Sequence, residues 1–237
     1  MEEAWIMRDL LIILDSVRYD RFIEAEAPEL KRLGKVYKAY SHGTWTRPSV
    51  VSMLSGYLPQ SELGQIYKPS WIMCGSYMFH DREIPSWFLN ANAWMHNMAP
   101  SRYQELWYPK PYSAPKMIED AEAIMRSHGE FFVAMLLVET HGPYDYKPSK
   151  NDPEVIKLFE AYNNGEDNEA PRVAAERQRE AISYLSVLLE PLLDIPDRVI
   201  VTSDHGDLQG EMHRIGHDPT FPFHVKLLEV PLIVSQR

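Results

Sequence analysis

The chain reads as an α/β protein, a central and mostly parallel sheet sandwiched by helices, in one domain spanning residues 1–237. Three observations predict it. Apolar, β-branched runs at 10–14, 131–138 and 199–202 have the make-up of strands covered on both faces. Helical patterns alternate with them along the chain. A length of 237 residues, with 45% hydrophobic and 24% charged content, suffices for one large core.

The elements follow in order. Residues 10–14 form a central strand that stops at Asp15. Residues 20–33 predict a helix, with Phe22, Ile23, Leu30 and Leu33 apolar and Gly34 closing it. Residues 36–40 alternate and predict a second strand. Pro48 suits the first turn of a helix that carries Val50, Val51, Met53 and Leu54 and ends at Gly56. The stretch 57–115 is rich in Pro, Trp and Tyr; strands are expected at 70–74 and 91–95. A helix is predicted over 116–127. The run 131–138 is the strongest strand signal and leads into Glu139-Thr140-His141-Gly142-Pro143-Tyr144. Residues 163–171 are polar and read as a loop. A long helix over 172–193 presents Ile182, Leu185, Leu188, Leu189 and Leu192. The strand 199–202 ends at Ser203-Asp204-His205-Gly206, and 230–235 forms the last strand. No internal repeat, low-complexity tract or linker is visible.

Composition narrows the function. Net charge is −10 with no basic run, which argues against nucleic acid as a partner. An acidic protein that handles an anionic substrate must create its positive field locally, and a divalent metal does so. The single cysteine, Cys74, rules out an intrachain disulfide and a cysteine-based zinc site. The N-terminus is acidic, and the run 10–14 is too short for a signal core or a membrane span. These features predict a cytoplasmic protein without a membrane span. Six Trp and thirteen Tyr could line a pocket, a core or a homo-oligomer interface.

In such sheets ligands bind at the carboxyl ends of strands, where Asp15, His141 and Asp204 fall. A free hydroxyl such as that of Thr46 is a weak nucleophile, but a metal can stabilise its alkoxide, and a following helix adds exposed N–H groups. Taken alone, Thr46 reads first as an N-cap, and Asp15 as a cap or loop residue. Arg18 and Asp20 read first as a pair. Asp204 and His205 would point to opposite faces of a strand, but a turn eased by Gly206 lets both face one ion. His141 and His217 sit in loops. Either could donate to a phosphoryl oxygen, protonate a leaving group or bind metal, though each alone reads first as a polar loop histidine. The other histidines have no such context.

Together these segments resemble the sulfatase-like branch of the alkaline phosphatase superfamily. Residues 11–20, from Leu11 to Asp20, look like its opening strand with a metal-binding Asp. Thr46-Arg47-Pro48-Ser49, running to Leu54-Ser55-Gly56-Tyr57-Leu58-Pro59, looks like its nucleophile helix and closing turn. His141-Gly142-Pro143-Tyr144 is similar to its mid-chain His-x-Pro-Tyr segment. Residues 201–207 resemble its second metal block, and 216–234 the loop and core strand that follow. By position, the resemblance implies that Asp15, Asp204, His205 and Thr46 hold the metal. It implies that Thr46 is also the nucleophile, and that His141, His217 and Arg47 face the substrate.

The departures are informative. Sulfatases carry an oxidisable Cys or Ser at the nucleophile position and an Arg four residues later; here stand Thr46 and Val50. A threonine resembles the phosphodiesterase and phosphotransferase branches. Two-metal members have an Asp where this chain has Leu137, which implies one metal, or a second site built with Glu139 or Asp218. The resemblance also implies a core without the C-terminal subdomain of many relatives. The expected function is metal-dependent hydrolysis of a small anionic phosphate ester through a phospho-threonine intermediate. The ion is zinc, manganese, magnesium or calcium. The enzymatic alternatives are a sulfatase-like enzyme, a phosphonate hydrolase or a phosphotransferase. The alternative of another class is a catalytically degenerate domain that binds a metal or an anion.

Overall fold

The three apolar runs become neighbours at the centre of one sheet. The computed structural model describes residues 6–56, 84–98, 103–109, 112–150 and 152–235. Its strands are β1 (Arg8–Leu14), β2 (Tyr37–Tyr40), β3 (Ser86–Asn90), β4 (Tyr103–Trp107), β5 (Phe131–Leu137), β6 (Arg198–Ser203), β7 (Leu208–Gln209), β8 (Ile215–Gly216) and β9 (Glu229–Val234). Seven of them form the central sheet in the order β2-β9-β6-β1-β5-β3-β4, and β7 pairs with β8 in a small ribbon. The strands from β6 to β4 run parallel, while β9 lies antiparallel to both β6 and β2.

Strand alternation sorts the core into two layers. Leu10, Ile12 and Leu14 of β1 and Val133 and Met135 of β5 face one side. There they meet Phe22 of α1 (Tyr19–Glu24) and Leu30 of α2 (Pro28–Lys31). Farther along the same layer they meet Met117 of α4 (Ala114–Ser127) and Ile182, Leu185 and Leu189 of α6 (Ala170–Leu189). Leu11, Ile13, Phe132 and Ala134 face the other side and pack on Val50 and Leu54 of α3 (Thr46–Ser55). Each such Leu or Ile contributes about 1.5–3 kcal/mol by leaving water. Gly56 closes α3 at φ 75°, the left-handed cap that glycine supplies.

Several elements depart from the sequence reading. The helix expected over 20–33 is two short helices, because the chain is extended at Ala25 and restarts at Pro28. The strand expected over 91–95 is displaced: the paired strand is β3, and Ala93–Met95 is a single 3₁₀ turn. The strand expected over 70–74 lies outside the described residues. The loop expected over 163–171 is shorter, since α5 (Pro153–Asn163) runs into it and α6 begins at Ala170, with Pro171 in its first turn. The long helix ends at Leu189 and tightens into a 3₁₀ turn at Pro191, whose ring cannot continue it. Among the described residues, no helix is long and apolar enough to cross a membrane.

Candidate active site

Four parallel strands end at one edge of the sheet. The register pairs Leu14 with both Leu137 and Ser203, and Asn90 with Leu136. Asp15, Asp204 and Asn92 therefore emerge side by side. Ser16 adopts a left-handed φ of 65°. Its N–H turns back to Asp204 Oδ1 at 3.0 Å, and its hydroxyl donates to Asp15 Oδ1 at 2.8 Å. Beyond β6 the chain must turn against the carbonyl of Lys226. A Cβ at Gly206 would lie 2.1 Å from that oxygen, so the turn requires glycine. Asp204 and His205 both end in the same buried space. His205 Nδ1 lies 2.9 Å from the Gly206 carbonyl, which assigns the proton to Nδ1 and leaves Nε2 bare.

Thr46 is the first residue of α3 rather than its cap. Trp45 has the extended cap geometry and makes no capping bond. The Thr46 hydroxyl lies 3.3 Å from His205 Nε2 and accepts from Asn92 Nδ2 at 3.3 Å. The same Asn92 amide donates to Asp15 Oδ2 at 2.7 Å. The positive end of α3 thus lies beside the hydroxyl.

Asp15, Asp204 and His205 are fully buried, and each offers a ligand atom within 4.8 Å of the other two. Among the described residues, neither carboxylate has a lysine or arginine partner. Burial pushes both carboxyls above their ordinary values, and the charge of Asp204 adds to the effect on Asp15. Burial, then the charge of His217, lowers the His205 imidazole to about 3, so it is neutral. Asp204 Oδ2 faces the Thr46 hydroxyl and the bare Nε2 (3.4 Å) without a well-formed hydrogen bond. Two buried carboxylates and an imidazole that converge with, among the described residues, only uncharged donors around them fit a divalent cation with oxygen and imidazole ligands.

A second group, His205, Asp207 and His217, is equally close-set but already satisfied. Asp207 Oδ1 lies 2.7 Å from His217 Nδ1, and Oδ2 accepts from the Tyr144 hydroxyl at 2.9 Å. Burial alone would raise the Asp207 carboxyl, but the charge and bond of His217 hold it below the usual range. Burial works against the His217 charge too; Asp207, then Asp15 and Asp204, nonetheless push that imidazole up to about 9. Its ring packs on His205 at 4.1 Å and meets His141 edge-on at 5.1 Å.

A cleft of about 710 Å³ opens over this edge, with Thr46, His141, Asp207 and His217 in its wall and Trp45 and Trp94 beside them. Arg47 also lines it, but its guanidinium donates to the Trp94 carbonyl at 3.3 Å and lies 5.7 Å over the Trp94 ring. Neither residue considered for a second metal joins a ligand group. Glu139 Oε1 accepts from Ala114 N at 2.8 Å, serving the start of α4, and Asp218 accepts from Thr220 N at 2.7 Å. Arg18 and Asp20 do pair, through bonds of 2.9 and 2.7 Å. Sequence reasoning gave no role to Ser16, Asn92, Tyr144 or Asp207. Asp207 and Tyr144 stand inside quoted motifs, whereas Asn92 carries only the signal of a turn residue.

The mostly parallel sheet, with acids, an imidazole and a helix-start hydroxyl at its carboxyl edge, has the fold of solved structures from the alkaline phosphatase superfamily, sulfatases among them. A curated relative is the low-salt glycan biosynthesis sulfotransferase Agl7 of Haloferax volcanii. It is 26% identical over 231 residues, covering 94% of this chain and 52% of the relative. The chain thus spans about half the length of that protein. Among solved structures, the C-terminal periplasmic domain of Escherichia coli EptC in complex with zinc superposes with a TM-score of 0.63 at 16% identity, covering 99% of this chain and 74% of that one. Lipooligosaccharide phosphoethanolamine transferase A of Neisseria meningitidis, an integral membrane protein, gives 0.65 at 11% identity, covering 99% and 48%. A 2-O GAG sulfatase gives 0.64 at 14% identity, covering 98% and 65%. These neighbours are enzymes of phosphate or sulfate esters. No protein-family model matches the chain.

Proposed function

We propose that the protein is a metal-dependent enzyme that cleaves a small anionic phosphate ester, with Thr46 as nucleophile and water as final acceptor. One observation carries this reading: the Thr46 hydroxyl, at the start of a helix, lies 3.3 Å from the bare Nε2 of His205 on the wall of the cleft. Asp15, Asp204, His205 and Thr46 are the residues that would hold the cation. A bound divalent ion would supply Lewis acidity, making the hydroxyl more acidic and the ester more electrophilic.

The remaining work belongs to the chain itself. Asn92 orients the hydroxyl and ties it to Asp15. The N–H groups at the start of α3 face the negative charge that develops during attack. His217, held by Asp207 through Nδ1 on the cleft wall, donates a proton to the departing oxygen, and the neighbouring His141 completes that wall. Phosphorus is favoured over sulfur because oxidising a threonine gives a ketone, not the aldehyde of sulfatases. The name of the Haloferax relative favours sulfuryl transfer as a second reading. Zinc is the first ion to try, given the imidazole ligand and the zinc complex of the E. coli neighbour.

The test is turnover of phosphate, sulfate and phosphonate esters across zinc, manganese, magnesium and calcium, with intact-mass detection of a covalent adduct. Thr46→Ala is expected to abolish the adduct and to lower turnover on the order of 10³-fold or more. Full turnover by Thr46→Ala with metal bound would exclude Thr46 as nucleophile. Inactivity on every ester with every ion would leave a non-catalytic metal- or anion-binding domain.

A further inference from the structure

The Asp207–His217 pair is the end of a buried polar chain that the reading above does not use. Tyr144, fully buried and at φ 66°, donates its hydroxyl to Asp207 Oδ2 at 2.9 Å. The Tyr144 oxygen accepts from Gln209 Nε2 at 3.3 Å, and Gln209 Nε2 also donates to Gln178 Oε1 at 3.1 Å. Gln209 Oε1 accepts from Arg21 Nε at 2.8 Å. Gln178, buried on α6, donates to the Ser16 carbonyl at 2.9 Å. Ser16 is the residue whose N–H and hydroxyl hold Asp204 and Asp15.

Every group in this chain has one workable polarity. Tyr144 spends its one hydroxyl hydrogen on Asp207 Oδ2, so its oxygen can only accept, and it accepts from Gln209. The second amide hydrogen of Gln209 then points at Gln178 Oε1, and the amide of Gln178 at Ser16. Buried glutamines need their partners, and apolar residues of the same volume would serve the core at least as well. The two loops that this chain joins both carry a non-glycine residue at positive φ, Ser16 and Tyr144. Strain of that kind persists where the surroundings enforce it, and it gathers at working sites.

We infer that Tyr144, Gln209 and Gln178 are positioning residues that fix the rotamer of Asp207 and, through it, the face that the His217 ring presents to the cleft. The inference deepens the proposed function and rests on it for its kinetic consequence. In that reaction Thr46 gives up its hydroxyl proton to solvent water as its Oγ bonds to phosphorus and the ester P–O bond breaks. The proton on the His217 ring passes to the departing oxygen.

Tyr144→Phe tests it, since it removes one oxygen and keeps the ring. The first measurement needs no substrate. The His217 Nδ1 proton, bonded to a carboxylate, gives a far-downfield proton line, assigned by its loss in His217→Asn, in both metal-free and zinc-loaded protein. Tyr144→Phe should shift or broaden that line, and Gln178→Leu should move it less; a line unmoved in Tyr144→Phe overturns the inference. The second measurement compares an alkyl phosphate, whose leaving oxygen needs a proton, with 4-nitrophenyl phosphate, whose does not. Tyr144→Phe should lower kcat for the alkyl ester about 10-fold, with KM and the nitrophenyl kcat within about twofold of wild type. Equal losses on both esters, or none, would overturn it. Wild-type inactivity on both esters would mean that the substrate lies elsewhere in the ester panel and would leave the proton line to decide the positioning role.

Discussion

Asp204 and Asp207 stand three residues apart, both fully buried, and their surroundings treat them in opposite ways. Asp204 Oδ1 accepts two backbone N–H groups, while its Oδ2 lacks a well-formed bond and faces a neutral imidazole. Asp207 has both oxygens filled, one by the charged His217 and one by the Tyr144 hydroxyl. Burial pushes the first carboxyl up. At the second, the same burial is outweighed by His217. Burial alone therefore does not mark a metal site. What distinguishes the proposed metal side is unmet negative charge: among the described residues, Asp204 Oδ2 lacks a well-formed bond whereas both Asp207 oxygens have one.

The comparison predicts that one substitution made at both positions has opposite signs in metal-free protein. Asp204→Asn should lower metal affinity on the order of 100-fold or more, read by titration calorimetry. In a chelator, however, it should raise stability by about 1–2 kcal/mol. The new amide keeps an oxygen for the N–H groups of Ser16 and His205 and offers a hydrogen to the bare Nε2. Asp207→Asn should instead destabilise by about 3 kcal/mol with or without metal, because it strands a buried imidazolium. Denaturant unfolding of both variants in chelator decides the matter. Two losses of similar size would mean that Asp204 is satisfied without a cation and that the metal assignment is wrong.

The side of the edge proposed to hold metal was the more legible in the sequence. Asp15, Thr46, Asp204 and His205 each stand at the end of an apolar run or the start of a helix, which local pattern can see. Their convergence depends on β1 lying between β5 and β6; the apolar runs at 10–14, 131–138 and 199–202 mark central strands but not their order. The satisfied side was hidden. Gln178 sits within an amphipathic helix and Gln209 on a two-residue strand, and no spacing announces that they bond to each other. Asn92 follows β3, whose ends are Ser86 and Asn90, polar residues that shifted the expected strand toward 91–95. The single helix expected over 20–33 failed because its apolar spacing hid the break that Pro28 enforces.

The smallest effect expected tests how the satisfied side distributes its cations. Arg18, 2% exposed, donates to the Asp207 carbonyl at 3.3 Å and pairs with both Asp20 and Glu211. Burial of Asp20 would raise its carboxyl, but its bonds to Arg18, with Arg21 and Lys226 nearby, hold it well below the ordinary range. A depressed carboxylate stabilises the fold fully above its unfolded value, and that contribution is lost as the pH falls toward the folded one. Asp20→Asn should therefore destabilise by about 1–2 kcal/mol at neutral pH, less than Asp207→Asn, because Glu211 still pairs with Arg18. Below the ordinary carboxylate range the difference from wild type should shrink by roughly 1 kcal/mol per pH unit. A difference that holds constant into acid would mean that Asp20 acts through its shape and not its charge. The buried guanidinium would then depend on Glu211 and the Asp207 carbonyl alone.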